Sequence, residues 1–310
     1  MTVALSLLLG CVVVGWLAPR YLLRIADPAV ALVAWLVSVV AVVVTTAGAM
    51  LLLVLPDHGL GPSVVATLHH CWQSVAHGSA PAVEAVSGAV GFVLLAGLLA
   101  RLAVAGVRGG RQRAQARREQ LDVLRVAGRR EEGAHVTVWL DHDSPLAFSL
   151  AGRPGVVVAT EGLHRHLSPE QVQAVLTHEQ AHLNGRHHLL VAFGDLVGAT
   201  LPFLPLFRRT AAALRELVEL AADATAVRKH GADAVRAALT GVAGHGAPGT
   251  ALAMGGDSVQ SRLAKLPRHV PGPARRLASC GLAGVTALVL PAVTALAALA
   301  TLMLVSCPAA

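Results

Sequence analysis

The sequence predicts an α+β fold: a four-helix transmembrane region with a mainly helical cytoplasmic domain that carries a small β-sheet. Three observations predict it. Of 310 residues, 55% are hydrophobic and only 14% are charged, whereas soluble domains usually carry about a quarter charged residues. The hydrophobic residues fall into four runs long enough to span a bilayer. Between the third and fourth runs, β-branched strand patterns precede two helix patterns.

The four apolar runs divide the chain. A span needs about 20 apolar residues at 1.5 Å each, and the runs are Val3–Ala18, Ala29–Leu55, Val83–Val107 and Gly281–Ser306. The first is short enough for a signal peptide, but no Lys or Arg precedes it, so a span with its N-terminus outside fits better. We therefore expect three spans in residues 1–107, a cytoplasmic domain in 108–280, and a fourth span with a short tail in 281–310.

The basic residues give the spans their orientation, because Lys and Arg remain on the cytoplasmic side. Arg20 and Arg24 lie between the first two spans, and residues 57–82 contain neither Lys nor Arg. The run Arg108–Arg130 follows the third span and predicts a solvated helix that also meets anionic lipid, with a protein-docking surface as the alternative. We expect a cell-membrane protein with both termini outside. Because aromatic residues are only 3% of the chain, the net charge of +7 does not predict direct nucleic acid binding.

A fifth apolar stretch, His187–Phe207, is interrupted by Asp195, Pro202 and Pro205. A single crossing here would put the basic residues before the fourth span on the outside, against the charge rule. Two crossings do not fit in so few residues. The stretch therefore predicts a buried, membrane-skimming or re-entrant helical segment with no net crossing.

The cytoplasmic part begins with strand patterns and continues with helices. The segments His135–Leu140 and Pro154–Thr160 predict strands, with a hairpin or short third strand between them. Ser168, an N-cap with Gln171 completing a capping box, then predicts a helix over Pro169–Leu183 that stops at Asn184-Gly185. A second helix is predicted over Arg215–His230.

The first of these helices contains His178-Glu179-Gln180-Ala181-His182. Histidines four apart share one helix face and can bind one metal ion, while Glu179 lies beside that position and can accept a proton from water. A glutamate of the second helix, Glu219 or its rival Glu216, would complete a His-His-Glu site with an open position. Asp223 could then hold one histidine by accepting a hydrogen bond from its other nitrogen.

These motifs carry a family resemblance. HEQAH followed by ELAAD in the second helix resembles the integral-membrane zinc metallopeptidases of the BlaR/MecR type, and it is similar to the HtpX-like membrane proteases. The arrangement of spans and the block GVVVATEGLHRHLSPEQVQAVLTHEQAH favour the first group. The resemblance implies a zincin-like metalloprotease domain with one zinc ion per chain. It assigns His178, His182 and Glu219 as zinc ligands, Glu179 as general base and Asp223 as their support.

The resemblance also implies a function, a zinc endopeptidase whose substrate is a transcriptional repressor. Membrane-protein quality control is the alternative proteolytic role. The rival class is a non-proteolytic signalling scaffold with structural zinc, but such sites are usually rich in cysteine, and no cysteine lies near the motif. β-Lactam sensors of this type carry a penicillin-binding domain after the fourth span. Since this chain ends at Ala310, direct antibiotic sensing is not expected. His187 and His188, which follow the first helix, are interfacial or stabilise an oxyanion, and the oligomeric state is left open.

Overall fold

A computed structural model describes residues 2–54 and 81–243 (apart from 26, 134 and 153), residues 256–266, and four isolated positions nearer the C-terminus. The helices are α1 Thr2–Leu22, α2 Pro28–Val54, α3 Pro81–Ala127, α4 Gly162–His166, α5 Pro169–Asn184, α6 His187–Thr200, α7 Pro205–His230, α8 Ala232–Ala243 and α9 Gly256–Lys265. The strands are β1 Gly128–Glu131, β2 Val136–Leu140, β3 Ala147–Leu150 and β4 Val156–Thr160. The protein is thus mostly helical with a small mixed sheet.

The described residues contain two helical stretches that are long and apolar enough to cross a membrane, Pro28–Met50 in α2 and Ala89–Gln120 in α3. The first predicted span is helical, but its described apolar part, Leu7–Leu22, is shorter than a span. The fourth, Gly281–Ser306, lies almost entirely outside the described residues, as do residues 56–80 of the segment 56–82, which the charge pattern predicts to lie outside. The structure therefore gives two candidate spans rather than four. The predicted orientation and the division at residues 107 and 280 stay predictions.

Helices α1 and α2 of the predicted membrane region share one apolar core with α6 and α7 of the predicted cytoplasmic part. Side chains of α1 and α2 pack with those of α6 and α7 in a single buried cluster, which includes Trp35, Leu206, Phe207 and Leu214, each at most 2% exposed. Trp35 Nε1 donates a hydrogen bond to Thr210 Oγ1 at 3.0 Å within this cluster. The polar ends of both residues are therefore satisfied where water is excluded.

The sheet has the strand order β1-β2-β4-β3, with β2 and β4 parallel and both outer pairs antiparallel. The predicted strands and the short third strand are confirmed as β2, β4 and β3. The expectation of helix through Arg130 is wrong, because α3 ends at Ala127 and Arg129 and Arg130 belong to β1. Gly128 explains the change of structure, since a β-carbon there would lie 2.2 Å from Val138 Cγ1 on β2. Only glycine lets the two strands approach this closely.

Helix α5 packs its apolar side against the sheet and begins as predicted. The Ser168 side chain accepts from the backbone N–H of Gln171, and the Gln171 side chain accepts from the backbone N–H of Ser168, forming a capping box. The apolar stretch His187–Phe207 forms α6, a turn and the start of α7, and so runs out and back as a helical hairpin. The second predicted helix begins at Pro205 rather than Arg215, because Pro205 suits the first turn of a helix.

Candidate metal centre

Two helices bring three predicted metal ligands together. His178 and His182 lie one turn apart on α5, and Glu219 faces them from the middle of α7. His178 Nε2 lies 3.1 Å from His182 Nε2. Glu219 Oε2 is 3.5 Å from His178 Nε2, and Glu219 Oε1 is 3.4 Å from His182 Nε2. The three donor groups thus converge on one point from two elements.

These separations fit the donor set of a zinc ion. Four tetrahedral ligands at roughly 2.0–2.1 Å from zinc stand roughly 3.3 Å from one another, close to the three observed distances. Two imidazole nitrogens and a carboxylate oxygen also form a donor set found in catalytic zinc sites, which keep one position for water or substrate. The residues present therefore fit zinc in both chemistry and spacing.

Asp223 fixes the orientation of His178. Its Oδ1 accepts a hydrogen bond from His178 Nδ1 at 2.9 Å, and the residue is only 1% exposed. Arg262 of α9 compensates the buried charge, donating from Nε to Asp223 Oδ2 at 2.8 Å and approaching Glu219 Oε2 with an Nη atom at 3.2 Å. The guanidinium, itself 5% exposed, therefore holds both carboxylates of α7 in place.

His187 supports His182 in a similar way. Its Nδ1 lies 2.9 Å from His182 Nδ1, and the side chain is buried. A His182 ring that directs Nε2 toward a metal carries its proton on Nδ1, so His182 donates and His187 accepts. This contact differs from both roles predicted for His187, interfacial placement and oxyanion stabilisation. His187 instead sets the tautomer of a predicted ligand.

The chain reverses between α5 and α6 so that His187 can reach back. Gly185 was expected as the helix stop, yet its φ of −77° is ordinary, and the left-handed residue is Arg186 at φ 49°. The glycine is required for a different reason. A β-carbon at Gly185 would lie 2.4 Å from His187 Nε2, so the imidazole could not occupy its observed position.

Glu179 lies beside the donors on the side of the sheet. It is half-buried, and the hydroxyl of Ser149 on β3 hydrogen-bonds to its carboxylate. Burial raises the pKa of Glu179 above its ordinary value, and the negative charge of Glu219 adds to this. A small cavity between β3, α5 and α8 touches both Glu179 and His178. The carboxylate is thus a stronger base than an ordinary glutamate, and it borders open space.

The charges of the metal-free centre are strongly coupled. Burial alone would lower the pKa of His178, but its hydrogen bonds to Asp223 and Glu219 raise that pKa to about 10. Burial and the positive charge of His178 lower the pKa of His182 to about 3. Burial opposes ionisation of Glu219, yet its hydrogen bond to His178 lowers the pKa to about 2. These shifts favour a protonated His178 beside a neutral His182.

The rival ligand Glu216 does not reach the centre. It is exposed and forms an ion pair with Lys265 of α9, which agrees with the alternative that it is an ion-paired surface residue. Sequence reasoning missed Arg262, which lies beyond the linker that follows α8. No spacing or motif connects this arginine to α7, so nothing in the sequence pattern identifies it.

Comparison with known proteins gives one family match. Residues 111–227 match the model of Peptidase family M48, a metallopeptidase family. No curated protein and no solved structure matches the chain. The matched segment contains His178, Glu179, His182 and Glu219, whereas Arg262 lies outside it. The match does not confirm the BlaR/MecR type in particular. The match over residues 111–227 thus supports a metallopeptidase.

Proposed function

We propose that the protein is an integral-membrane zinc endopeptidase that cleaves a protein substrate at the cytoplasmic face of the membrane. The observation that carries the proposal is the convergence of His178, His182 and Glu219, with Asp223 holding His178 from behind. The two apolar helical stretches in α2 and α3 and the basic residues beside them support the membrane location.

The chemistry follows from the positions of the side chains. His178, His182 and Glu219 would hold one zinc ion, which when bound supplies Lewis acidity toward the scissile carbonyl and the attacking water. Glu179 accepts the proton of that water and delivers it to the leaving amine nitrogen, completing hydrolysis of the peptide bond. Ser149 orients the Glu179 carboxylate during this transfer.

The edge of the sheet suggests how a substrate is held. Strand β3 lies at the end of the strand order and pairs with β4, and no strand among the described residues pairs with its other edge. An extended peptide can add to such an edge by backbone hydrogen bonds. Because β3 also carries Ser149, a peptide bound there would pass Glu179. This arrangement favours cleavage within a chain over removal of terminal residues.

Two finer proposals come from the sequence resemblance. A substrate that is a transcriptional repressor would place the enzyme in a signalling pathway, whereas membrane-protein substrates would place it in quality control. Incubation of the purified enzyme with a repressor encoded beside it, followed by mass spectrometry of the products, separates them. A defined cleavage site in the native repressor supports the first, and cleavage of unfolded membrane proteins alone supports the second.

The central test uses two glutamates of matched chemistry. Glu179→Gln should abolish cleavage while the protein keeps about one zinc per chain, measured by plasma mass spectrometry. Glu216→Gln, which alters an exposed carboxylate on α7, should retain both activity and zinc. Cleavage by Glu179→Gln at the wild-type rate would contradict the mechanism. Wild-type protein that holds zinc, unfolds when the zinc is removed and cleaves nothing would favour the scaffold instead.

A further inference from the structure

The turn between α6 and α7 reaches the membrane-side helices at one level. Leu204 packs directly on Gly15 of α1, where a β-carbon would lie 3.2 Å from Leu204 Cδ1. Arg20 follows Gly15 by five residues, and Arg209 follows Leu204 by five residues. At 1.5 Å per residue, both arginines lie about 7.5 Å along their helices from this contact. Both are exposed.

Helices α2 and α3 make contacts with α7 and α6 at this same level. The hydrogen bond from Trp35 to Thr210 sets Arg209 beside residue 35 of α2, and residues 36–54 beyond it carry no charge. On α3, the exposed Arg101 donates to the carbonyl oxygen of Ala199, at the end of α6, at 2.9 Å. Residues 81–100 before it contain a single charge, Glu84. Each helix is thus apolar on one side of this level for about the 20 residues that a bilayer core requires.

The turn itself is apolar and projects past the arginines. Phe203 is 72% exposed, and Pro202 beside it is also exposed, while Leu201 and Leu204 pack into the core cluster. The exposed aromatic ring gains free energy when apolar matter such as acyl chains covers it. The exposed Arg208 and Arg209 follow within two turns of helix, and long basic side chains reach lipid phosphates from just inside the interface.

We propose that this turn is a membrane anchor in the cytoplasmic leaflet, with Phe203 among the acyl chains of anionic lipids. Arg20, Arg101, Arg208 and Arg209 then lie at the level of the lipid phosphates. The anchor rests on the proposed membrane location of the protein. It is a shallow insertion of one turn, and the hairpin of α6 and α7 returns to the cytoplasmic side without crossing.

The anchor sets the distance from the bilayer to the metal centre. Glu219 follows Arg209 by ten residues of the same helix, which corresponds to about 15 Å of rise. A substrate peptide bond is therefore cut outside the bilayer. For a membrane-bound substrate, about five extended residues at roughly 3.3 Å each would separate the cut from the phosphates.

Site-directed spin labelling of the full chain in anionic nanodiscs tests the anchor. In a background whose four cysteines are replaced and whose zinc content is unchanged, labels are placed one at a time through Phe203→Cys, Val44→Cys and Lys229→Cys. Val44 is an exposed residue of α2 within the candidate span, and Lys229 is an exposed residue at the far end of α7. Collision with oxygen, which concentrates in lipid, is compared with collision with a water-soluble nickel chelate.

The expected result is that the label at 203 resembles the label at 44, favouring oxygen, whereas the label at 229 favours the nickel chelate. If the label at position 203 favours the nickel chelate, as at position 229, while the label at position 44 favours oxygen, the anchor is refuted and the membrane location is not. A label at 44 that also favours nickel overturns the membrane location on which the anchor rests. In a second arm, Arg208→Gln with Arg209→Gln should make the label at 203 shallower. No change there would refute the role of the arginines.

Discussion

At the scale of single residues, His178 links the two halves of the metal centre. Its Nδ1 donates to Asp223, and its Nε2 faces both His182 and Glu219. The ring can serve a metal only by releasing the proton on Nε2, because the Nδ1 proton is committed to Asp223. The protonation of one ring therefore decides whether the centre is ready for zinc.

Zinc affinity should rise with pH by about tenfold per unit across roughly pH 6–8. The pKa of His178 is raised to about 10 in the metal-free protein, so its ring is protonated in this range and must lose one proton to zinc. His182 and Glu219, with pKa values of about 3 and about 2, are already deprotonated and add no further dependence. Competition with a chelator at several pH values measures the slope, and an affinity independent of pH would contradict the assignment.

Gly185→Ala should weaken zinc binding by about 10–100-fold, because displacement of His187 frees the ring of His182. The backbone at φ −77° accepts alanine, so the melting temperature should change little. Gly198→Ala on α6 is the matched control, since its β-carbon would meet only an ordinary contact at 3.5 Å. Equal zinc affinity in both variants would show that His187 has no part in orienting His182.

The residues predicted from sequence differ from those missed in how they are encoded. His178, Glu179 and His182 follow one helical spacing, and Glu219 and Asp223 repeat the four-residue spacing on a second helix, where the family resemblance selects Glu219 over Glu216. Arg262 and His187 act through tertiary contacts. The first comes from α9, and the second depends on a reversal of the chain at Arg186, which no local pattern specifies.

At the scale of elements, α5 is the best encoded part of the fold, since both ends of its capping box are visible in the sequence. Strand β1 is the element that the sequence encodes least clearly. Its four residues are half-buried or exposed and show no alternation, so only pairing with β2 makes it a strand. The arginines within it resemble the helix that precedes them, which is why the helix was predicted to extend through Arg130.

Ser168→Ala should lower the free energy of unfolding by about 1 kcal/mol. The substitution removes the acceptor for the N–H of Gln171 at the start of the helix that carries both histidines. Thermal or chemical unfolding measured by circular dichroism tests this. Glu170→Ala, an exposed first-turn residue outside the capping box, should cost less. A larger loss from Glu170→Ala would assign the stabilisation to helix charge rather than to the cap.

At the scale of the whole molecule, one core crosses the predicted division between membrane region and protease region. Leu206, Phe207 and Leu214 of α7 are buried against α1 and α2, so the helix that presents Glu219 is supported by these two helices. Sequence patterning separates the two regions because apolar runs and mixed segments differ in composition. It does not show that they pack together, since that depends on which faces meet.

A fragment of residues 108–280 should therefore expose an apolar surface that the full chain covers. We expect it to self-associate on size-exclusion chromatography and to bind an apolar dye more strongly than the full chain in detergent. Phe207→Ser with Leu206→Ser in the fragment should reduce the association. A monomeric fragment with native zinc affinity would show that α1 and α2 are dispensable for the centre.

The position of Arg262 limits how far the protein can be shortened. The two helices that carry the motifs, α5 and α7, are complete at His230. Arg262, which pairs with Asp223, lies further along the chain on α9. A shorter protein that stops after α7 would leave the Asp223 carboxylate without its guanidinium partner, with only His178 to balance its charge. The smallest working peptidase is thus longer than its recognisable motifs, and a library of truncations should lose zinc once α9 is removed.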